Sequence, residues 1–444
     1  MKKLLLFLLV FYTILSFGQG KMYFKNGFHK TKIPFEYHQK LIIIPIVVNG
    51  VELNFILDTG ASKTVIFSLE DIGDISFNDT ELFTVRGIGD GEALDAILSK
   101  NNTLSIGDKI IGLNQYIYIV SEYKIDLSSK IGKTIHGIIG YDLIKHFIVN
   151  INYQNKVIKI YDHHFFKPPK SKRFEKFDLE INNNKPYVIG TMRDENFGEK
   201  KVKLLIDSGN SDAFWLFDDP STGFIAPEPN FVDHLGVGLS GNIYGKRSII
   251  SEFQLGKFTL KKPTVAFLDS TQTHFARLFE SRNGSIGNKV LDRFNAYYDL
   301  DNGKLWLKKT KHFKDDFKYN KAGLEISYAG KTIVKSKVYS SDNFGSRSND
   351  NSGDKIIIDQ RYEYKFRPIF SIFNIRKNSP GDLAGIIEGD IISKINKKDA
   401  TNLELEEVLN YFYGDHGDTI DLEIYRNGVI HKFRLKLVDP FTSP

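Results

Sequence analysis

The chain has 444 residues, no cysteine and a formal net charge of +6 that is spread along its length. This length suggests about two to four domains. The absence of cysteine excludes disulfide bonds and cysteine-based metal sites, and the small, dispersed charge gives no electrostatic reason to expect nucleic-acid binding. Frequent Ile, Val, Phe and Tyr residues, together with many glycines, predict a mainly β protein.

The first residues have the pattern of an export signal. Lys2 and Lys3 form a positive start, residues 4–17 are mostly apolar, and small residues precede Gln19. We therefore predict a signal peptide over residues 1–18 and a bacterial protein that is exported to the periplasm or secreted. The alternative is that the segment is retained as an anchor. No later segment is apolar enough to span a bilayer.

An internal repeat is the most informative feature of the sequence. Residues 55–62 read Phe-Ile-Leu-Asp-Thr-Gly-Ala-Ser, and residues 204–211 read Leu-Leu-Ile-Asp-Ser-Gly-Asn-Ser. The aspartates of the two copies, Asp58 and Asp207, are 149 positions apart. Further matches follow in order at this or a nearly equal offset: Gly87 with Gly236, Gly89 with Gly238, Gly107 with Gly256, Gly140 with Gly287, Phe147 with Phe294 and Asn155 with Asn302. The series predicts two lobes of similar structure.

Each copy of the repeat reads as short strands separated by turns. In the first copy, apolar residues 41–48 lead through an Asn-Gly pair into residues 51–57, which is typical of a β-hairpin. The second copy ends, like the first, in a hairpin with an Asn in its turn. We predict a first lobe over residues 30–165 and a second over residues 173–312, joined by a link that contains lysines and prolines.

The repeated aspartates stand where a charge needs a partner, because each follows two apolar residues at the end of a strand. The glycine two positions later allows a tight turn, and the hydroxyl between them, from Thr59 or Ser208, can satisfy backbone groups that the turn exposes. Two pseudo-symmetric copies would bring the two turns face to face, so that the carboxyls share one proton. Such a pair can supply one general acid and one general base.

These motifs resemble the pepsin/retropepsin superfamily, in particular bacterial retropepsin-like aspartyl proteases, over roughly residues 30 to 312. The family pattern is Asp-Thr/Ser-Gly after two apolar residues and a later apolar-apolar-Gly, once per lobe. The resemblance implies that Asp58 and Asp207 are the catalytic dyad, and the shared proton is that family's own mechanism. It implies dyad-supporting residues and flap-like hairpins over the cleft at these positions: Thr59, Gly60, Ser208 and Gly209 beneath the dyad, and Gly87, Ile88, Gly89, Gly236, Val237 and Gly238 in the flaps.

The second lobe departs further from the family pattern than the first. Ala61 follows the first Asp-Thr-Gly as in retropepsins, but Asn210 holds the corresponding position and Ser285 replaces an apolar residue. A catalytically inactive, peptide-binding envelope scaffold with the same fold is therefore the alternative function. Without Ser or Thr after the glycines, each carboxylate loses a hydrogen bond, which predicts a pH optimum nearer weakly acidic to neutral. An Asn210 side chain donating to Asp207 would oppose that shift.

The last third of the chain has a different pattern. Residues 378–392 read Asn-Ser-Pro-Gly-Asp-Leu-Ala-Gly-Ile-Ile-Glu-Gly-Asp-Ile-Ile, which resembles a bacterial PDZ domain. We predict an α+β PDZ-like domain over residues 318–438. Such domains capture extended peptides or C-terminal carboxylates at a strand edge. The resemblance implies a peptide-binding segment formed by Gly323, Leu324, Glu325 and Ile326. The alternative is a domain that only braces the protease lobes.

The sequence thus predicts a mainly β, two-lobed aspartic protease β-barrel fold followed by the PDZ-like domain. The predicted function is an exported aspartic endopeptidase whose PDZ-like domain recruits substrate. Its partners would be peptide or protein substrates and a peptide ligand of the PDZ-like domain, with no nucleic acid and no stable membrane span after signal cleavage. We expect no cofactor and no metal, because the histidines lack the spacing of metal ligands.

Overall fold

The computed structural model describes residues 19–87, 89, 91–120, 126–269, 273, 282–339 and 360–441. This part of the chain divides into two compact units, Asn320–Asp439 and the remainder. The predicted signal peptide, residues 1–18, lies outside the described residues. No helix within the described ranges is both long and apolar enough to cross a membrane.

The first half of the larger unit, here called lobe 1, is built almost entirely from strands. Its helices are short: Leu127–Ile131, Tyr141–Ile144 and the 3-10 turns Tyr153–Asn155 and His163–Phe165. Its strands are β1 (Met22–Phe24), β2 (Lys30–Pro34), β3 (Glu36–His38), β4 (Leu41–Val48), β5 (Val51–Leu57), β6 (Val65–Ile66), β7 (Thr80–Val85), β8 (Leu94–Ile106), β9 (Ile110–Val120), β10 (Gly137–Ile139), β11 (Ile148–Asn152) and β12 (Val157–Tyr161).

The second half of the larger unit, lobe 2, repeats this order of elements. It contains the helix Asn288–Leu291 and the 3-10 turn Lys311–Lys314. Its strands are β13 (Glu175–Asp178), β14 (Glu180–Asn182), β15 (Lys185–Asp194), β16 (Gly198–Ile206), β17 (Phe214–Phe217), β18 (Phe231–Gly238), β19 (Gly241–Ile249), β20 (Glu252–Leu255), β21 (Phe258–Lys261), β22 (Thr264–Leu268), β23 (Gly284–Ile286), β24 (Phe294–Asp299) and β25 (Lys304–Lys309).

The Asn-Gly pair after β4 forms the predicted hairpin turn. Val48 pairs with Val51, and Asn49 and Gly50 both have positive φ angles, of 48° and 92°. Two consecutive positive φ angles are typical of a two-residue hairpin turn whose twist matches that of the flanking strands. The turn fixes the register of β4 against β5, and therefore the position of the residues that follow β5.

Each lobe has its own large sheet, and a third sheet joins the lobes. The lobe 1 sheet has the order β1-β9-β6-β10-β5-β4-β8-β7, and the lobe 2 sheet has the order β18-β19-β22-β17-β23-β16-β15-β20-β21. The six-stranded joining sheet runs β13-β25-β24-β11-β12-β2, so that it contains strands of both lobes. One hydrophobic core extends through both lobes, and fully buried Phe55 and Phe214 both belong to it. The two copies therefore fold as one body.

The smaller unit combines a sheet with short helices. Its helices are Pro380–Leu383 and Leu405–Phe412, with a 3-10 turn at Ala400–Asn402. Its strands, in the order β26-β27-β28-β30-β31 with β29 beside β28, are β26 (Leu324–Tyr339), β27 (Gln360–Ile375), β28 (Ile391–Ile395), β29 (Lys398–Asp399), β30 (Thr419–Arg426) and β31 (Val429–Lys436). The prediction of a mainly β protein with a C-terminal α+β domain is confirmed.

Candidate active site

The two aspartates of the repeat stand at equivalent strand ends. Asp58 follows β5 and donates its backbone N–H to Ile139 O at 2.9 Å, while Asp207 follows β16 and donates to Ile286 O at 3.0 Å. These acceptors lie on β10 and β23, which run parallel to β5 and β16. The local fold at each aspartate is therefore the same in both lobes, as the repeat predicts.

The glycine after each of these parallel strands permits a close approach of the backbone. A β-carbon at Gly140 would lie 2.0 Å from Asp58 O, and one at Gly287 would lie 2.6 Å from Asn210 O. Both distances are shorter than any van der Waals contact, so a side chain at either position would push the aspartate turn away. This explains the apolar-apolar-Gly pattern in physical terms.

Thr59 and Ser208 join the two turns by reciprocal hydrogen bonds. Thr59 N–H donates to Ser208 Oγ at 2.9 Å, and Ser208 N–H donates to Thr59 Oγ1 at 3.0 Å. Each hydroxyl also donates to a backbone carbonyl of the opposite lobe, Thr59 to Ile206 O and Ser208 to Leu57 O, both at 2.7 Å. Both side chains are fully buried. Four hydrogen bonds therefore fix the turns relative to each other.

The same geometry brings the carboxyls of Asp58 and Asp207 together, and they are hydrogen-bonded to each other. Gly60 N–H donates to Asp58 Oδ1 at 2.7 Å, and Gly209 N–H donates to Asp207 Oδ1 at 3.1 Å. A β-carbon at Gly209 would lie 2.4 Å from Asp58 Oδ2, so glycine is needed for the carboxyls to approach.

The environment of the pair keeps a proton on it. Burial raises the pKa of Asp58, and burial together with the negative charge of Asp58 raises the pKa of Asp207 to about 8, although the cations Arg282 and Lys185 act in the opposite direction. Like charges at short range resist double ionisation. The pair therefore holds one proton at neutral pH, as general acid–base chemistry requires.

The predicted flap segments contact each other across the pair of lobes. Gly87 N–H donates to Ser240 Oγ at 2.9 Å, and Gly91 N–H donates to Ser240 O at 2.5 Å. Gly236, Val237 and Gly238 end β18, and Ser240 follows in the turn to β19. Gly89 packs against this turn, while Ile88 lies outside the described residues. Ser240 was not singled out from the sequence, although the repeat aligns it with Gly91.

The two residues that depart most from the family pattern in lobe 2 are hydrogen-bonded to each other. Asn210 Nδ2 donates to Ser285 Oγ at 3.3 Å, and Asn210 Oδ1 accepts from Asp212 N–H at 2.9 Å. Asn210 thus stabilises the turn that carries Asp207 rather than donating to the Asp207 carboxyl. The substitution of Ser for an apolar residue is explained by this pairing.

A buried charge network next to this turn could not be read from the sequence. Arg247 Nη1 donates to Asp212 Oδ1 and Arg247 Nε donates to Asp233 Oδ2, both at 2.9 Å. Lys289 Nζ and Trp215 Nε1 also donate to Asp212, at 3.2 and 3.0 Å. The nearby cations hold the pKa of Asp212 well below its usual range despite burial. The network links both flap strands of lobe 2, β18 and β19, to the aspartate turn.

The residues predicted to bind peptide in the smaller unit are largely occupied. Leu324 and Ile326 belong to its hydrophobic core, and Gly323 N–H donates to Asn320 Oδ1 at 2.9 Å. Glu325 accepts from Asn374 Nδ2. However, Leu324, Glu325 and Ile326 begin β26, which lies at the edge of the sheet formed by the described strands. That edge is where an extended peptide could add as a further strand.

No group of three or more His, Asp or Glu side chains among the described residues is placed to hold a metal ion.

Two equivalent side chains of the repeat support the strands that lead to the aspartates. In lobe 1, the side chain of His136 hydrogen-bonds the backbone, since its Nδ1 accepts from Asn54 N–H at 2.8 Å. In lobe 2, Asn283 Oδ1 accepts from Lys203 N–H at the same distance. The two side chains are therefore equivalent supports in the repeat.

Comparisons with known proteins found matches for two parts of the chain. Residues 44–143, which include Asp58 but not Asp207, match the family model described as aspartyl protease, and residues 372–426 match that of a PDZ domain. Among solved structures, the chain is similar to the aspartic proteinase from Irpex lacteus, at 12% identity and a TM-score of 0.41, covering 64% of this chain and 99% of that one. No curated protein matches the chain. The chain therefore contains a region that matches the aspartyl protease model and a C-terminal region that matches the PDZ domain model.

Proposed function

We propose that the chain is an exported aspartic endopeptidase that hydrolyses bonds within peptides or proteins. The observation that carries this proposal is the pair of carboxyls, Asp58 and Asp207, hydrogen-bonded to each other and fixed by the reciprocal Thr59 and Ser208 hydrogen bonds. The export part rests on the pattern of residues 1–18 alone.

The pair supplies one acid and one base for hydrolysis. We assign the shared proton to Asp207 and the ionised carboxylate to Asp58, which takes a proton from a water placed between them. The hydroxide attacks the peptide carbonyl carbon while Asp207 donates its proton to the carbonyl oxygen. In the second step, Asp58 returns its proton to the leaving amine nitrogen and Asp207 accepts a proton from the tetrahedral intermediate. Carboxylic acid and amine leave, and the original protonation of the pair is restored.

The flap contact and the edge strand give two further elements of the proposal. The hydrogen bonds from Gly87 and Gly91 to Ser240 join the two flap segments, and we infer that these segments part to admit a polypeptide. In the PDZ domain, β26 pairs with β27 on one side within the described residues, and its other edge can accept an extended segment of substrate. We propose that this edge recruits protein substrates.

A peptide pool tests the proposed activity. The purified chain is incubated with a diverse set of peptides, and the products are identified by mass spectrometry in parallel with an Asp58→Asn variant. We expect internal cleavage by the wild type and none by the variant, since the amide cannot act as the base. Identical products from both proteins would reject the mechanism, and a folded wild type without cleavage would favour the binding scaffold.

A further inference from the structure

The residues on the strands beside the two aspartates differ in character between the lobes. In lobe 1 the sheet face next to Asp58 is apolar and buried. Leu41 lies across from Asp58 by extension of the register in which Ile43 pairs with Ile56. The cluster on this face consists of Leu41, Ile43, Ile56, Ile131 and Ile135, with Ile138 packed at its margin.

The register of lobe 2 identifies the equivalent positions. Tyr187 pairs with Leu205 as Ile43 does with Ile56, so that Lys185 lies across from Asp207. On its other side, Leu205 pairs with Ser285, as Ile56 pairs with Ile138 in lobe 1. Arg282 lies three positions before Ser285, and Ile135 lies three positions before Ile138. Two apolar residues of lobe 1, Leu41 and Ile135, are thus replaced by Lys185 and Arg282.

Among the described residues, the charges that act on these two cations include the dyad itself, since Lys185 and Arg282 both interact electrostatically with Asp207. Arg282 is 8% exposed; its Nε donates to Gly284 O at 3.1 Å, and its guanidinium lies 5.3 Å from the centre of the Phe217 ring. Within the described part of the chain, neither cation forms an ion pair with a carboxylate, and Lys185 interacts electrostatically with both dyad carboxyls. Burial lowers the pKa of both cations. Buried cations favour an anionic partner.

We propose that Lys185 and Arg282 form a carboxylate-binding subsite beside Asp207. An acidic side chain on one side of the scissile bond would enter it, whereas the apolar residues at the equivalent positions of lobe 1 offer no charge to an acidic side chain on the other side. A terminal carboxylate has the same chemistry and is the second possible source. The subsite is a specificity determinant that deepens the proposed function and rests on it.

Reduced-amide peptides test the subsite without any turnover. Four peptides, amidated at the C-terminus, carry Leu-ψ(CH2NH)-Glu, Leu-ψ(CH2NH)-Gln, Glu-ψ(CH2NH)-Leu or Gln-ψ(CH2NH)-Leu at the centre, and their binding to the full chain is measured by calorimetry. In one of the two orders, we expect the Glu peptide to bind about 10- to 100-fold more tightly than its Gln partner, as for a hydrogen bond to a charged group. A fifth peptide, which ends at Gln with a free carboxylate, identifies a terminal carboxylate as the ligand if it alone gains affinity.

Exchanging the cations for their lobe 1 counterparts should remove the preference. Lys185→Leu and Arg282→Ile are expected to bind Glu and Gln peptides equally, whereas the conservative Lys185→Arg retains the difference. Added salt should weaken the preference of the wild type for the Glu peptide over the Gln peptide. This measurement does not depend on the folding of any variant. Equal binding of Glu, Gln and free-acid peptides by the wild type would overturn the subsite, even if ordinary peptides are cleaved. A Glu preference without cleavage of the ordinary amides would instead uphold the subsite and reject the proposed function.

Discussion

The hydroxyl of Thr59 offers a sharp test of how the two aspartate turns are held together. Thr59→Val replaces the hydroxyl by a methyl group of similar size, and leaves Ser208 N–H and Ile206 O without their partner in a buried site. Each buried, unsatisfied group costs about 1–3 kcal/mol, so the free energy of unfolding should fall by about 2–6 kcal/mol. Thr59→Ser retains both hydrogen bonds and loses only a methyl group, which costs about 1 kcal/mol.

Denaturant unfolding followed by tryptophan fluorescence measures this difference. Both tryptophans, Trp215 and Trp306, lie in the larger unit, so the signal reports on the two lobes and not on the PDZ domain. We expect Val to destabilise clearly more than Ser and to lower kcat, because the carboxyls lose their fixed separation. A Thr59→Val protein as stable as Thr59→Ser would refute the structural role of these hydrogen bonds.

Three further predictions concern pH, the buried charges and the PDZ domain. The rate of cleavage should fall above a pH of about 8, where Asp207 loses the shared proton, and activity that rises steadily past that pH would contradict the shared-proton account. Arg247→Met should lower the free energy of unfolding at neutral pH by about 3–5 kcal/mol, because it removes the main ion-pair partner of buried Asp212 and of half-buried Asp233. The loss of stability caused by Arg247→Met should become smaller as the pH falls through the low pKa of Asp212. A carboxyl whose pKa is lowered in the folded protein stabilises the fold only while it is ionised, so protonation removes its contribution. A loss of stability that does not change with pH would contradict this prediction. Replacing Asn320–Asp439 by a glycine linker should spare short peptides and raise KM for protein substrates, whereas a bracing role predicts an unstable, inactive protein.

The features that the sequence could predict are those repeated in it. Two Asp-Thr/Ser-Gly turns at a constant offset predict two equivalent strand ends, and the structure brings Asp58 and Asp207 to the same place. The Asn-Gly turn after β4 was likewise readable, because a two-residue hairpin depends on local backbone preferences. The PDZ domain was recognisable because its Ser-Pro and Gly-Asp segments are close together in the chain.

The features that the sequence could not predict depend on contacts between distant residues. Whether Asn210 donates to Asp207 or to Ser285 is decided by the approach of β23, which is 75 positions away. The ion pair of Arg247 with Asp212 and the position of Lys185 across from Asp207 follow from sheet register rather than from any local motif. Leu324 was predicted in a peptide-binding segment, and only the packing of the whole unit shows that its side chain lies in the hydrophobic core.

The account depends most directly on the catalytic roles of the two carboxyls. The decisive measurement is kcat/KM for one peptide identified from the pool, compared among the wild type, Asp58→Asn, Asp207→Asn and Asp95→Asn. Asp95 is exposed on β8, so its variant makes the same chemical change outside the site. We expect a loss of at least about 1000-fold for both dyad variants, within the range of about 100- to 10,000-fold that one general acid or base contributes, and no change for Asp95→Asn. Wild-type activity in a folded Asp58→Asn or Asp207→Asn protein would contradict the central claim.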